Sequence, residues 1–142
     1  MKKPVISGNR IVVPSDQEYL SDVDAFLEGT LRGFGGEESI IADIAISVSE
    51  LVNNAMLHGN KSSEDKSVTV EISRVNGSVR ISVSDEGGGF DPSNVADPLA
   101  EENLLKEVGR GLFIVRSLMD KVDIEATDKG TAIIVTKALR QS

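Results

Sequence analysis

The chain has 142 residues, 39% of them hydrophobic and 27% charged, the size and balance of one globular domain with a single core. A formal net charge of −8 argues against binding along a nucleic-acid phosphate backbone, and fits either a partner with a basic surface or plain solubility. Cysteine is absent, which excludes disulfides and thiolate metal sites and is compatible with a reducing compartment. The Met1-Lys-Lys-Pro4 start lacks the apolar run of a signal peptide. No stretch is read as approaching the roughly 20 apolar residues that cross a bilayer, so a cytoplasmic chain without membrane contact is expected.

Arg10-Ile-Val-Val-Pro14 reads as a short first strand stopped by proline. Ser15 with Glu18 three residues later has the form of a capping box. The helix behind it carries Leu20, Val23, Phe26, Leu27 and Leu31 at helical spacing and ends at Gly33-Phe-Gly-Gly36. A second helix is expected over 37–57, burying Ile40, Ile41, Ile44, Val48, Leu51, Val52 and Ala55. Gly59 should close it in the left-handed conformation of a C-terminal cap.

A polar connection over 61–66 follows. Val68, Val70 and Ile72 then alternate with Thr69, Glu71 and Ser73, the period of a strand with one wet face. Asn76-Gly77 is a strong hairpin signal, and the returning strand over 79–84 delivers Asp85 at its end. Residues 92–108 are loose and acidic. A third helix is expected over 111–119, and a last strand pair over 121–127 and 131–137. No internal repeat and no second domain are seen. Residues 1–142 are therefore expected to form one α+β domain, a two-layer α/β sandwich with helices on one face of a largely antiparallel sheet.

Three groups of residues could carry chemistry. Glu50 and Asn54 are four apart in a helical pattern, so they share a face with a rise of roughly 6 Å between them. A carboxylate can take a proton from an attacking hydroxyl, and a carboxamide oxygen can complete the shell of Mg²⁺ when phosphates supply the rest. By itself the pair equally fits a solvated helix face. Asp85-Glu-Gly-Gly-Gly89 places an acid at a strand end before three glycines, which suits close approach of a ligand to backbone. Such an acid can accept from an exocyclic amine such as that of adenine, although a plain glycine turn has the same composition. An EF-hand fails, because glycines stand where its third and fifth positions need acids. Gly109-Arg110-Gly111 precedes an apolar helix, where backbone amides favour a phosphate, but a structural turn reads the same way. It matches neither the P-loop nor the dinucleotide fingerprint. Gly130-Thr131 in the last hairpin is explicable by turn chemistry.

Taken in order, Glu50-x-x-x-Asn54-Ala-x-x-His58, Asp85-x-Gly87-x-Gly89, Gly109-x-Gly111 and Gly130-Thr131 resemble the N, G1, G2 and G3 boxes of the GHKL ATPases, whose members include the histidine kinases. The short length resembles one branch, the bacterial anti-sigma factors with serine-protein kinase activity. That resemblance implies the Bergerat ATP-binding fold. It implies that Asp85 binds the adenine amine, with Gly87 and Gly89 beside it and Thr131 in support. Asn54 would hold Mg²⁺ against the phosphates of ATP, Gly109, Arg110 and Gly111 would line the triphosphate, and 92–108 would form the ATP lid. Glu50 would be the general base, and phosphoryl transfer needs little beyond such positioning and charge neutralisation. The implied substrate is a STAS-type anti-sigma-factor antagonist phosphorylated on serine, with a sigma factor or another effector as second partner and a homodimer by analogy. The best-known members carry an arginine just before the first glycine of the third box, where this chain has Glu107-Val108, and that difference leaves the partner's identity open. Two alternatives are a non-catalytic ATP-binding module that sequesters a regulator and a detached histidine-kinase catalytic domain. Glu50 speaks against the first. Against the second, the only histidine is His58, inside the first box.

Overall fold

Valine and isoleucine at every second position give the central strands one apolar face, and that face organises the fold. In a computed structural model that describes residues 3–63, 65–87 and 109–140, six strands form one antiparallel sheet. They are β1 (Val5–Ser7), β2 (Arg10–Pro14), β3 (Ser67–Val75), β4 (Ser78–Ser84), β5 (Lys121–Ala126) and β6 (Thr131–Ala138), in the spatial order β1-β2-β3-β4-β6-β5. Register pairs Ile11 with Val70, Ile72 with Ile81 and Ile81 with Val135, so the buried side chains line up across four strands on one face. Helices α1 (Leu20–Gly33) and α2 (Glu38–Asn54) cover it. A third helix, α3, spans 109–118 and buries Val115. This is the expected α+β two-layer sandwich. The strand β1, short and exposed along its whole length, has no periodic signal and is absent from the sequence reading.

The expected stripe of α2 is buried throughout, from Ile40 to Ala55. Val23, Leu27 and Leu31 of α1 are buried beside it, with Leu20 and Phe26 partly so. Arg32 near the end of α1 donates to both carboxylate oxygens of Glu38 at the start of α2, at 2.9 and 3.2 Å. Those bonds hold the Glu38 carboxyl below the usual carboxylate range. The C-terminus of α3 is tied to β6: Lys137 Nζ donates to the Leu118 carbonyl, and the Ala138 amide donates to Asp120 Oδ2 at 2.7 Å.

Three expectations are corrected. Ser15 is not the cap of the first helical turn. Asp16 is, accepting from the Glu18 amide at 2.9 Å in front of a 3-10 turn at Gln17–Tyr19. Ser15 is buried instead, its hydroxyl donating to the Lys66 carbonyl at 2.7 Å. Second, α2 runs into a π turn at Ala55–Gly59, and Gly59 is not left-handed; positive φ falls on Lys61 and Ser62. Third, Glu38–Gly59, 22 residues, is by length and composition apolar enough to cross a membrane, contrary to the sequence reading. About half of it is buried against the sheet and α1, where a core helix must be apolar. The lid expected at 92–108 lies outside the described residues.

Candidate functional site

The hairpin β3–β4 carries its alternation to Ser84 and leaves Asp85 just beyond the strand, half-buried. Two backbone amides fix this carboxylate. The Gly87 amide donates to Oδ1 at 3.0 Å and the Thr131 amide to the same oxygen at 3.2 Å. The Asp85 amide in turn donates to the Thr131 carbonyl at 2.9 Å, so strand β6 holds the acid by both backbone and side chain. Among the described residues none donates to Oδ2, which faces Gly59 at the end of the π turn. The approach is so close that any side chain at Gly59 would overlap the Asp85 carboxylate. Gly87 lies against the Gly59 carbonyl, and Gly130 lies over Asp85.

A second cluster sits farther back along α2. Glu50 and Asn54 are half-buried on one face, as their spacing requires, and Gly111 of α3 meets both. A Cβ at Gly111 would lie 2.8 Å from Asn54 Nδ2 and 3.1 Å from Glu50 Oε2. Asn54 Nδ2 is buried and has no hydrogen-bond partner among the described residues. Only the π turn, Ala55–Gly59, separates Asn54 from the glycine that Asp85 packs against. One helix end therefore joins a carboxylate–carboxamide pair to a glycine-packed acid.

The structure thus brings together Glu50, Asn54 and Gly111, and separately Asp85, Gly87 and Thr131. Gly109 and Arg110 are exposed on the first turn of α3, and space around Gly109 is open. Gly89 lies outside the described residues. No group of three or more His, Asp or Glu side chains converges as a metal cage among the described residues. Sequence reading missed Asn60, fully buried, whose side chain binds the Glu86 amide at 2.8 Å, Ser15 Oγ at 2.8 Å and the Ser67 carbonyl at 3.0 Å. The one local signal, an asparagine after a helix-terminal glycine, is indistinguishable from an ordinary turn former.

An antiparallel sheet with helices packed on one face is the fold of the GHKL class of ATPase domains. A model of the family described as "Histidine kinase-like ATPase domain" matches residues 13–137. The chain belongs to that family, in its anti-sigma factor and serine-protein kinase branch. It is 31% identical over 136 residues to the serine-protein kinase RsbW of Staphylococcus aureus, covering 91% of this chain and 85% of that one. It is 30% identical over 138 residues to RsbW of Listeria monocytogenes, with the same coverage. Among solved structures it resembles the RsbU and RsbW domains of Rv1364c from Mycobacterium tuberculosis, with a TM-score of 0.68 and 25% identity over 97% of this chain. It spans 32% of that longer chain. The histidine kinase domain of Erythrobacter litoralis EL346 shares the fold, with a TM-score of 0.54 at 18% identity over 89% of this chain and 62% of that one.

Proposed function

We propose that this protein is a serine-protein kinase that transfers the γ-phosphoryl group of ATP to a STAS-type anti-sigma-factor antagonist. The observation that carries the reading is the meeting of Glu50, Asn54 and Gly111 at the end of α2, from which the π turn leads to Gly59 against Asp85. The names of the relatives, serine-protein kinase in both Staphylococcus and Listeria, support the same reaction class.

In this reading Asp85 Oδ2 accepts from the adenine exocyclic amine while Oδ1 stays occupied by the Gly87 and Thr131 amides. Gly87 and Gly89 let the base approach backbone. Gly109, Arg110 and Gly111 line the triphosphate, with the Arg110 guanidinium opposing its charge. The residues fit a magnesium ion held mostly by phosphates. Asn54 presents a buried carboxamide atom, unpaired among the described residues, at the Gly111 face, and turning the amide over brings its oxygen to that point. When bound there, Mg²⁺ would neutralise charge on the β- and γ-phosphates. Glu50 accepts the proton of the partner's serine hydroxyl as its oxygen bonds to the γ-phosphorus, while the bond to the bridging oxygen breaks and ADP departs.

Phosphorylation of the antagonist would free this protein to restrain a sigma factor or another effector, in the cytoplasm, with a dimer as its working form by analogy. Incubation with γ-labelled ATP, Mg²⁺ and a candidate STAS-domain protein tests the reading. Label on a serine of the partner is expected. Label on His58 of this chain, or none at all, overturns it.

A further inference from the structure

We propose that Asn60, with Glu86 as its counterpart, is the positioning residue that aims the Asp85 carboxylate and so sets the preference for adenine. The inference rests on the nucleotide reading of the Asp85 site and adds a residue outside the recognised boxes.

Asn60 directly follows the π turn, and its amide closes that wide turn by donating to the Ala55 carbonyl at 2.8 Å. Its side chain is fully buried and every hydrogen-bonding group on it is engaged. Oδ1 accepts from the Glu86 amide at 2.8 Å, and Nδ2 donates to Ser15 Oγ at 2.8 Å and to the Ser67 carbonyl at 3.0 Å. The counterpart bond runs back, from the Ser67 amide to Glu86 Oε1 at 2.6 Å. Residue 86 is therefore gripped by its backbone and by its side chain. On the other side, Thr131 grips Asp85 in the same double way. The carboxylate sits between two clamps, one built from strand β6 and one from Asn60 and the first residue of β3.

The chemistry of the site admits an amide and little else. Two donors and one acceptor in one plane match Ser67, Ser15 and Glu86 together. Aspartate has the same shape but no donor. Ser15 Oγ already donates to the Lys66 carbonyl at 2.7 Å, so it could not reverse its bond to meet a carboxylate. Exchanging water bonds for internal ones adds little net stability, so what a saturated buried amide supplies is orientation. Here the orientation belongs to the 85–86 peptide, and through it to the Oδ2 atom over Gly59. Adenine and guanine differ in whether they offer that oxygen a donor or a carbonyl. A carboxylate free to turn loses the distinction.

The test measures dissociation constants for MgATP, MgGTP and inorganic tripolyphosphate in wild type, Asn60→Asp, Glu86→Ala and Glu86→Gln. It also measures amide hydrogen exchange at Gly87 and Thr131 without nucleotide. Asn60→Asp is expected to weaken ATP by about tenfold or more and to shrink the ATP-to-GTP ratio, leaving tripolyphosphate within about twofold. Exchange at Gly87 should quicken by about tenfold. Glu86→Ala should move the same quantities less, and Glu86→Gln, which keeps the acceptor for Ser67, should restore them. Should Asn60→Asp not fold, the Glu86 pair decides alone. A purely structural role would lower the melting temperature of folded variants and leave the ATP-to-GTP ratio intact, which overturns the proposal. So would equal losses for ATP and tripolyphosphate. A wild-type protein that binds no ATP overturns the nucleotide reading itself and the base preference with it, whereas wild-type binding beside unchanged variants refutes the positioning role alone.

Discussion

Gly111 of α3 approaches Asn54 of α2 so closely that a Cβ would stand 2.8 Å from Nδ2, and it reaches Glu50 Oε2 at 3.1 Å. Both atoms are the far ends of side chains, so an added methyl group would push them aside rather than break the fold. Gly111→Ala is therefore expected to melt within about 2–4 °C of wild type, the effect of about 1 kcal/mol in a domain of this size. Phosphoryl transfer should fall at least about tenfold, because Asn54 and Glu50 are the groups displaced. Thermal melting beside a transfer assay checks it, and unchanged transfer would detach the third box from this cluster.

Gly59 offers a cleaner separation of two explanations. If it were a left-handed cap, asparagine would be tolerated there and alanine would not. Its φ is not positive, and what a side chain would meet is the Asp85 carboxylate. Gly59→Ala and Gly59→Asn should consequently both lower stability by about 1–3 kcal/mol, the usual cost of overpacking, and both should weaken ATP binding. Denaturant midpoints with nucleotide titrations measure the pair. A near-normal asparagine variant would restore the cap reading.

That contrast marks how far the sequence could be read. Period-two runs in β3 and β4 and the apolar stripe of α2 are visible because each side chain's burial follows from its own neighbours. The candidate site was legible as an ordered set of boxes, and Asp85 does lie beside Gly87 and Thr131. What stayed hidden depends on distant partners. Gly59 answers to Asp85, and Asn60 answers to residues 15, 67 and 86, none of which local periodicity can connect to it. Ser15 looks like a cap in the sequence for the same reason: Lys66 and Asn60, both distant from it, hold its hydroxyl.

Ser47 lies one turn before Glu50 on α2, fully buried, with no hydrogen-bond partner for its hydroxyl among the described residues. A buried unpaired hydroxyl costs about 1–3 kcal/mol, and alanine is the better helix former. Ser47→Ala should raise stability by about 1 kcal/mol, a rise of roughly 2–4 °C in melting temperature. A lower melting point would mean that the hydroxyl has an internal water or another partner.

Asp85 accepts two backbone amides on Oδ1, and an asparagine oxygen could keep both. Asp85→Asn therefore tests the ligand side of the group more than the fold. Loss of a charge-assisted bond to the adenine amine should weaken ATP binding by roughly 1.5–3 kcal/mol, about ten- to hundredfold in dissociation constant. Calorimetric titration measures it directly. An unchanged constant removes Asp85 from the base site.

Glu50→Gln separates a kinase from a nucleotide-dependent binder. Glutamine has the same shape, so the packing against Gly111 persists and Asn54 keeps its place on the next turn. Binding of MgATP should stay within about twofold, because no role in holding the nucleotide falls to Glu50. Transfer to the partner's serine should drop by about 10²–10⁴, the usual worth of a positioned general base. The two readouts must part company for the assignment to hold. If transfer survives in Glu50→Gln, the proton leaves by another route and Glu50 is part of the helix face alone. If binding is lost together with transfer, the carboxylate serves the nucleotide, and the base must be sought elsewhere.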